Sequence, residues 1–417
     1  MFNLFTWIFI GFLAVSVVTR LWLSWRQQRH VQQNRDTLPS AFADTIKLDE
    51  HQKAADYTAA KSRLGMVELF IGTAILLAWT LGGGLAALNN ALLTLDWPPV
   101  VTGTSVILAV ILIGAVLDLP LSLYGTFGVE ARFGFNRTTI KTFIGDLVKG
   151  FILLLVLGVP LVAAALWFMF NTGGFWWLWV WALWLGFTLT LTWAYPAFIA
   201  PWFNKFSPLS DATLKQRIET LLDRCGFKSK GVYVMDGSKR SSHGNAYFTG
   251  VGNNKRIVFF DTLMDSLSAD EIEAVLAHEL GHFRLKHIRQ RLIVTSIVSL
   301  GVLALLGWLA SQAWFYSGLG VATPSPYMAL LLFILAGSAF TFFLTPLSAL
   351  WSRKHEFEAD EYASQQSDAQ ALAHALTILC RDNASTLTPD PVHSAFYDSH
   401  PPAPVRIARL DELSSRQ

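Results

Sequence analysis

The sequence predicts an α-helical integral membrane protein with seven transmembrane helices, joined to a part outside the bilayer that holds a small β-hairpin or sheet. Of its 417 residues, 53% are hydrophobic and 15% charged, against about 45–50% and about 25% in ordinary soluble domains. The chain also carries 16 Trp and 30 Phe, side chains favoured in lipid contact and at the membrane interface. Its Lys and Arg are confined to segments that alternate with long apolar runs.

A hydrocarbon core of about 30 Å takes about 20 apolar residues as a helix. Runs of that kind cover 4 to 24, 66 to 88, 103 to 124, 150 to 170, 174 to 199, 292 to 316 and 327 to 350. The first is read as a span and not a cleavable signal, since a signal places its positive residues ahead of the apolar core. Here Arg20, Arg26 and Arg29 come at its end or after it. No Lys or Arg precedes Arg20, and none lies between Arg63 and Arg132, between Lys149 and Lys205, or between Arg291 and Arg353. By the positive-inside rule the N-terminus is outside and the C-terminus and all large soluble parts are cytoplasmic. A bacterial inner membrane is the expected location.

Four regions follow: 1–199 with five spans and their loops, a soluble segment 200–291, spans six and seven in 292–350, and a C-terminal segment 351–417. Glu68 and Asp118 fall inside spans, and a carboxylate there faces a bundle interior or a wet cavity more readily than lipid. The basic residues form no dense run, which excludes a nucleic-acid partner. Cys225 and Cys380 are too far apart and too few for a disulfide framework or a cysteine zinc site, and read as buried free thiols in a reducing compartment.

Within 200–291, Ser268-Ala269-Asp270-Glu271 has the form of a capping box. The helix it starts carries His278-Glu279-Leu280-Gly281-His282. Histidines four apart project from one face and can share an ion, with Glu279 one step round and able to reach a water beside it. Zinc at such a site polarises a carbonyl and acidifies water, and the carboxylate carries the proton to a leaving amine. A catalytic zinc keeps three protein ligands and an open position. The metzincin continuation fails, because Leu285 and Ile288 stand where it needs Gly and His. His287 lies about half a turn off the ligand face and reads as a residue outside the metal's own ligands or in solvent. Just past the last run, a helical Ser352–Ala363 would put Glu356 and Asp360 on one face, one for zinc and one for the outer N–H of a ligating histidine. Glu358 and Glu361 there read as solvated charges. Asn245–Gly250 and Arg256–Phe260 read as two strands about a Gly252-Asn253-Asn254 turn.

Further motifs accompany these: Phe133-Gly134-Phe135-Asn136, Tyr195-Pro196, Ile199-Ala200-Pro201, Phe203-Asn204-Lys205-Phe206, His243-Gly244-Asn245-Ala246-Tyr247-Phe248, Ser352-Arg353, Ala359-Asp360, and His400-Pro401-Pro402 with Arg406. With the zinc helix they make the chain resemble, over nearly its whole length, the type I CAAX prenyl endopeptidases, integral-membrane gluzincins. The one minor departure is Phe283, where the family commonly has Trp. The resemblance implies seven helices around an intramembrane chamber and one zinc per chain on His278, His282 and Glu356. It implies Glu279 as general base, and Asn245 and His400 holding substrate and its oxyanion. The implied partner, beside the lipid bilayer, is a peptide or protein substrate with a prenylated C-terminus. Two other readings compete. An HtpX-type quality-control protease shares the chemistry with fewer spans. A transporter or scaffold would close its structural zinc with a fourth ligand and give Glu279 nothing to do.

Overall fold

The computed structural model describes residues 2–249 and 255–415. Among them seven helices are long and apolar enough to cross a membrane: Leu4–Gln33, Leu48–Trp79, Pro99–Glu130, Ile140–Asn171, Gly173–Phe203, His287–Leu309 and Pro326–Gln366. Two differ from the runs read in the sequence. The run 66 to 88 ends as a helix at Trp79, and after a turn with Gly83 at φ 77° a separate helix Gly84–Leu93 begins. The run 292 to 316 breaks at Leu309, and Ala313–Gly318 forms its own short helix. In both places an apolar run records affinity for lipid and is blind to where the backbone turns. The turns also meet: a Cβ on Gly320, itself at φ +82°, would lie 2.4 Å from the Thr80 carbonyl.

The spans form a ring in chain order. Each touches the next, the second meeting the third at its Tyr124–Glu130 end, and the seventh returns to the first. At one end the ring is filled: the seventh span reaches across to the third and fourth, over a core that includes Phe9, Leu85, Val106, Leu166, Leu306 and Met328. Midway it is not. In the third span Val116, Leu117 and Asp118 are all exposed, and Glu68 lines a cavity of about 760 Å³ between the first, second and seventh spans.

The unfilled end of the ring is met by a four-stranded sheet of β1 Phe206–Pro208, β2 Val232–Met235, β3 Ala246–Thr249 and β4 Arg256–Phe260, in the order β1-β2-β4-β3. The hairpin expected from the sequence is the antiparallel pair β3 and β4, Ala246 facing Phe259; its Gly252-Asn253-Asn254 turn lies outside the described residues. β4 also runs parallel to β2, which local alternation could not reveal. β3 is left as an edge strand. Helices Ala212–Arg224, Ala269–Arg284 and Ala369–Asp382 pack with the sheet into one core around Ile218, Leu221, Ile257, Phe259 and Leu276. Past Gln366 the chain forms three helices, Ala369–Asp382, Pro391–Tyr397 and Ala403–Ser414.

Several motif residues clamp ring to sheet. Asn136 bridges to Ser241, Phe135 stacks on His243 with ring centres 4.5 Å apart, and Arg137 donates its N–H to the Arg240 carbonyl. Arg240 donates to Asp146 at 2.7 and 2.9 Å on the fourth span and to the Phe203 carbonyl at the end of the fifth. Arg240→Met keeps the stem and removes these bonds, leaving Asp146 with only Lys149, 4.0 Å away, as a charge partner. Stability should fall by about 1–3 kcal/mol, read as a lowered unfolding temperature in detergent, while metal content stays at the wild-type level.

Candidate metal centre

The helix Ala269–Arg284 starts as the sequence reads: Ser268 accepts from the Glu271 N–H, and Glu271 accepts from the Ser268 N–H at 2.6 Å. Its other end is abrupt, because Lys286 takes the left-handed conformation at φ 61° and the sixth span begins at His287. A second helix, Thr345–Gln366, continues the seventh span through a short turn at Phe342–Leu344. These two helices cross where Gly281 meets Ala359. A Cβ at Gly281 would lie 2.9 Å from the Ala359 Cα, and Ala359 is wholly buried. The spacing admits only the smallest residues.

That crossing brings His278 and His282 to Glu356. His278 Nε2 lies 3.5 Å and His282 Nε2 3.3 Å from the two Glu356 carboxylate oxygens, and one ligand atom from each residue falls within 4.8 Å of the others. Both imidazoles turn Nε2 inward and Nδ1 outward, and each Nδ1 has a partner. His278 Nδ1 is 2.8 Å from Asp360. His282 Nδ1 is 2.9 Å from His287 Nδ1, whose Nε2 is 3.0 Å from Glu358. With Nε2 free for an ion, each Nδ1–H donates outward, to Asp360 or His287, and the His287 Nε2–H donates to Glu358.

The donor set fits zinc: two neutral imidazoles and one carboxylate, His278 and Glu356 buried and His282 half-buried, with both imidazoles' outer hydrogen bonds made. His287, His355 and Glu358 form a second close group. The two rings there are stacked, 4.0 Å apart with planes 7° off parallel, so their in-plane lone pairs do not converge on one ion.

Glu279 is half-buried and makes no side-chain hydrogen bond or ion pair among the described residues, as a group free to meet water would. His400 has its Nδ1 2.6 Å from Glu356 Oε2 and is otherwise exposed. Asn245 is exposed at the head of β3; its side chain accepts from the Ala246 N–H and its carbonyl from the Phe260 N–H. No bond joins Asn245 to the cluster.

Two residues were not legible as site residues. Arg406, buried on the last helix, donates to both Asp360 oxygens at 2.9 and 2.6 Å and stands 3.7 Å from Glu356. In the sequence it stands out only as part of a motif of the resemblance, with no role attached to it. Glu358 looked solvated because it points away from the Glu356 face. It finds His287 only because the turn at Lys286 swings that residue back, and His287 is buried, not solvated. Burial and the Arg406 charge push the His278 pKa down, but the bonds to Asp360 and Glu356 outweigh them and lift it to about 9.

Membrane helices that deliver a buried His-His-Glu cluster with a carboxylate beside it define an integral-membrane metallopeptidase. Known proteins agree. Residues 27–205 match the family model for the CAAX prenyl protease N-terminal region of five membrane helices, and 208–414 match peptidase family M48. CAAX prenyl protease 1 homolog of Arabidopsis thaliana is 34% identical over 96% of each chain. CAAX prenyl protease 1 of Saccharomyces cerevisiae is 34% identical over 98% of this chain and 95% of its own. The crystal structure of S. mikatae Ste24p superposes with a TM-score of 0.91 at 30% identity, over 99% of this chain and 100% of that one. The chain therefore belongs to peptidase family M48, as a membrane zinc endopeptidase of the CAAX prenyl protease type.

Arg406→Met leaves Asp360 buried without its main charge partner and should cost about 3–5 kcal/mol. Adding Asp360→Asn removes the stranded charge and should restore part of that loss. Chemical unfolding of the two variants beside wild type checks both, and equal stabilities would show that the pair carries no coupling.

Proposed function

We propose that one zinc ion per chain is held by His278, His282 and Glu356, and that the site cleaves proteins near a prenylated C-terminus. The observation that carries this is the convergence of the three ligand atoms within 4.8 Å, with both outer nitrogens engaged by Asp360 and His287. Zinc, when bound, supplies the Lewis acid for the scissile carbonyl. Glu279 takes the proton of the attacking water and hands it to the leaving amine. His400, hydrogen-bonded to Glu356 and otherwise exposed, would offer an N–H to the oxyanion. Asn245 heads the edge strand β3, whose free side can pair with a substrate backbone in extended form, and its amide adds a second donor to the carbonyl. Asp360 and the His287–Glu358 pair hold the two imidazoles in the binding tautomer.

The prenylated class of substrate rests on the printed names of the relatives, CAAX prenyl proteases similar over nearly the whole length. The distribution of Lys and Arg supports a cytoplasmic zinc site with the N-terminus across the membrane.

The deciding experiment measures zinc content and cleavage of one prenylated and one unprenylated peptide by the detergent-purified protein. Wild type should hold about one zinc and cleave the prenylated peptide faster. Glu279→Gln should keep the zinc and lose about 10²–10⁴-fold in turnover. A mutant as active as wild type would remove Glu279 from the chemistry, and equal rates on the two peptides would remove the lipid from recognition.

His287→Phe leaves the outer N–H of His282 without an acceptor. Zinc affinity, titrated with a competing chelator, should weaken by about 10–100-fold, with most of the activity returning at saturating zinc. Unchanged affinity would make the histidine contact incidental.

A further inference from the structure

Outside the metal site, a cavity of about 760 Å³ lies on the inner face of the second span. Lys61, Gly65, Glu68, Gly72, Leu76 and Trp79 line it, spaced as one helical stripe about 27 Å long at 1.5 Å per residue. The opposite face of that span exposes Val67, Phe70 and Ile71, the side that suits lipid.

The cavity has two unlike ends. Its deeper walls are mainly apolar, with Leu13, Val17, Leu69, Leu76, Ile334 and Leu335 interrupted by Ser16, Thr73 and Ser338. Its end nearer the metal site carries Arg20 and Lys61. The Arg20 guanidinium lies 4.5 Å over the Phe342 ring, with Nε buried and without a hydrogen-bond partner. Lys61 lies 5.0 Å over the Tyr57 ring. Among the described residues neither cation forms an ion pair, although Glu68 lines the same space. Two cations at one end of an apolar groove, one with a buried donor lacking an acceptor, match an anion carried on an apolar chain. The Arg fork suits phosphate oxygens.

We propose that this groove binds one membrane phospholipid with an anionic headgroup, its phosphate between Arg20 and Lys61 and an acyl chain along Leu13, Leu69 and Leu76. Glu68, about 10 Å further along the stripe, disfavours a second anion. The site is separate from the metal: Phe342 precedes Glu356 by about 20 Å along the seventh helix. It is also connected to it. His393 and Tyr397 line the groove from the helix Pro391–Tyr397, which Arg353 grips through the Ser394, Ala395 and Asp398 carbonyls. The same segment runs on to His400 against Glu356. A bound lipid therefore braces the wall from which His400 is presented.

The test is native mass spectrometry of the delipidated, zinc-loaded protein in detergent, titrated with phosphatidylglycerol, with phosphatidylcholine, and with phosphatidylglycerol against inorganic phosphate. Wild type should retain one phosphatidylglycerol, at least about tenfold more tightly than phosphatidylcholine, and millimolar inorganic phosphate should not displace it. Arg20→Gln with Lys61→Gln should abolish that preference. Gly72→Leu should block both lipids with zinc content intact, since a Cβ there meets nothing within 4 Å and the new side chain fills the groove. Equal binding of the two lipids by wild type, a preference that survives in the double variant, or phosphatidylglycerol retained by Gly72→Leu would each overturn the proposal. Displacement by inorganic phosphate would overturn the lipid and leave only an anion site.

Discussion

The site depends on one close approach, that of Gly281 to Ala359. A helix pair ordinarily packs with axes about 8–10 Å apart, according to the side chains between them. Here the contact holds only hydrogen and methyl, so residues flanking it on both helices are drawn together. His278 and His282 flank Gly281 on one side, and Glu356 and Asp360 flank Ala359 on the other. A larger side chain at position 281 would separate the axes and move both histidines from both carboxylates at once. Gly281 is thus as much a determinant of the cluster as the residues that form it.

Both crossing helices are extensions of membrane spans. The His helix passes into the sixth span through a single left-handed residue, Lys286, and the Glu356 helix is the seventh span continued past Leu344. The ring is filled with side chains at its far end but not midway, so it cannot by itself hold the near ends of these spans to within an ångström. That precision comes from the soluble core around Ile218, Phe259 and Leu276, and from Arg406, which reaches from the last helix of the chain to Asp360. The membrane part supplies the location of the site and the soluble part supplies its rigidity.

Much of this was legible in the sequence, for reasons that can be named. Hydropathy gave seven spans because lipid is a uniform solvent, and it misplaced the ends near Trp79 and Leu309 because a turn within apolar sequence changes no residue's affinity for lipid. His278, His282, Glu356 and Asp360 could be paired in advance because helical spacing fixes which side chains share a face. Arg406 and the bond between His287 and Glu358 could not. They depend on how separate elements pack and on a backbone reversal at Lys286, and lysine is no signal for that conformation. The sheet was half visible, since the β3–β4 pair is local and the parallel pairing of β2 with β4 is not.

Charge balance in the pocket gives the packing its direction. Glu356 and Asp360 are buried together with one arginine between them, which leaves a single negative charge on buried side chains. Uncompensated, that charge would oppose the crossing that creates it. In the protein alone, burial and Arg406 both disfavour a proton on His278, yet the two carboxylates raise its pKa to about 9. Their demand for positive charge exceeds both opposing effects. A divalent ion at Nε2 answers the same demand and frees Nδ1–H to donate to Asp360. The buried carboxylate that would weaken an ordinary protein core is, at this crossing, suited to a cation beside it.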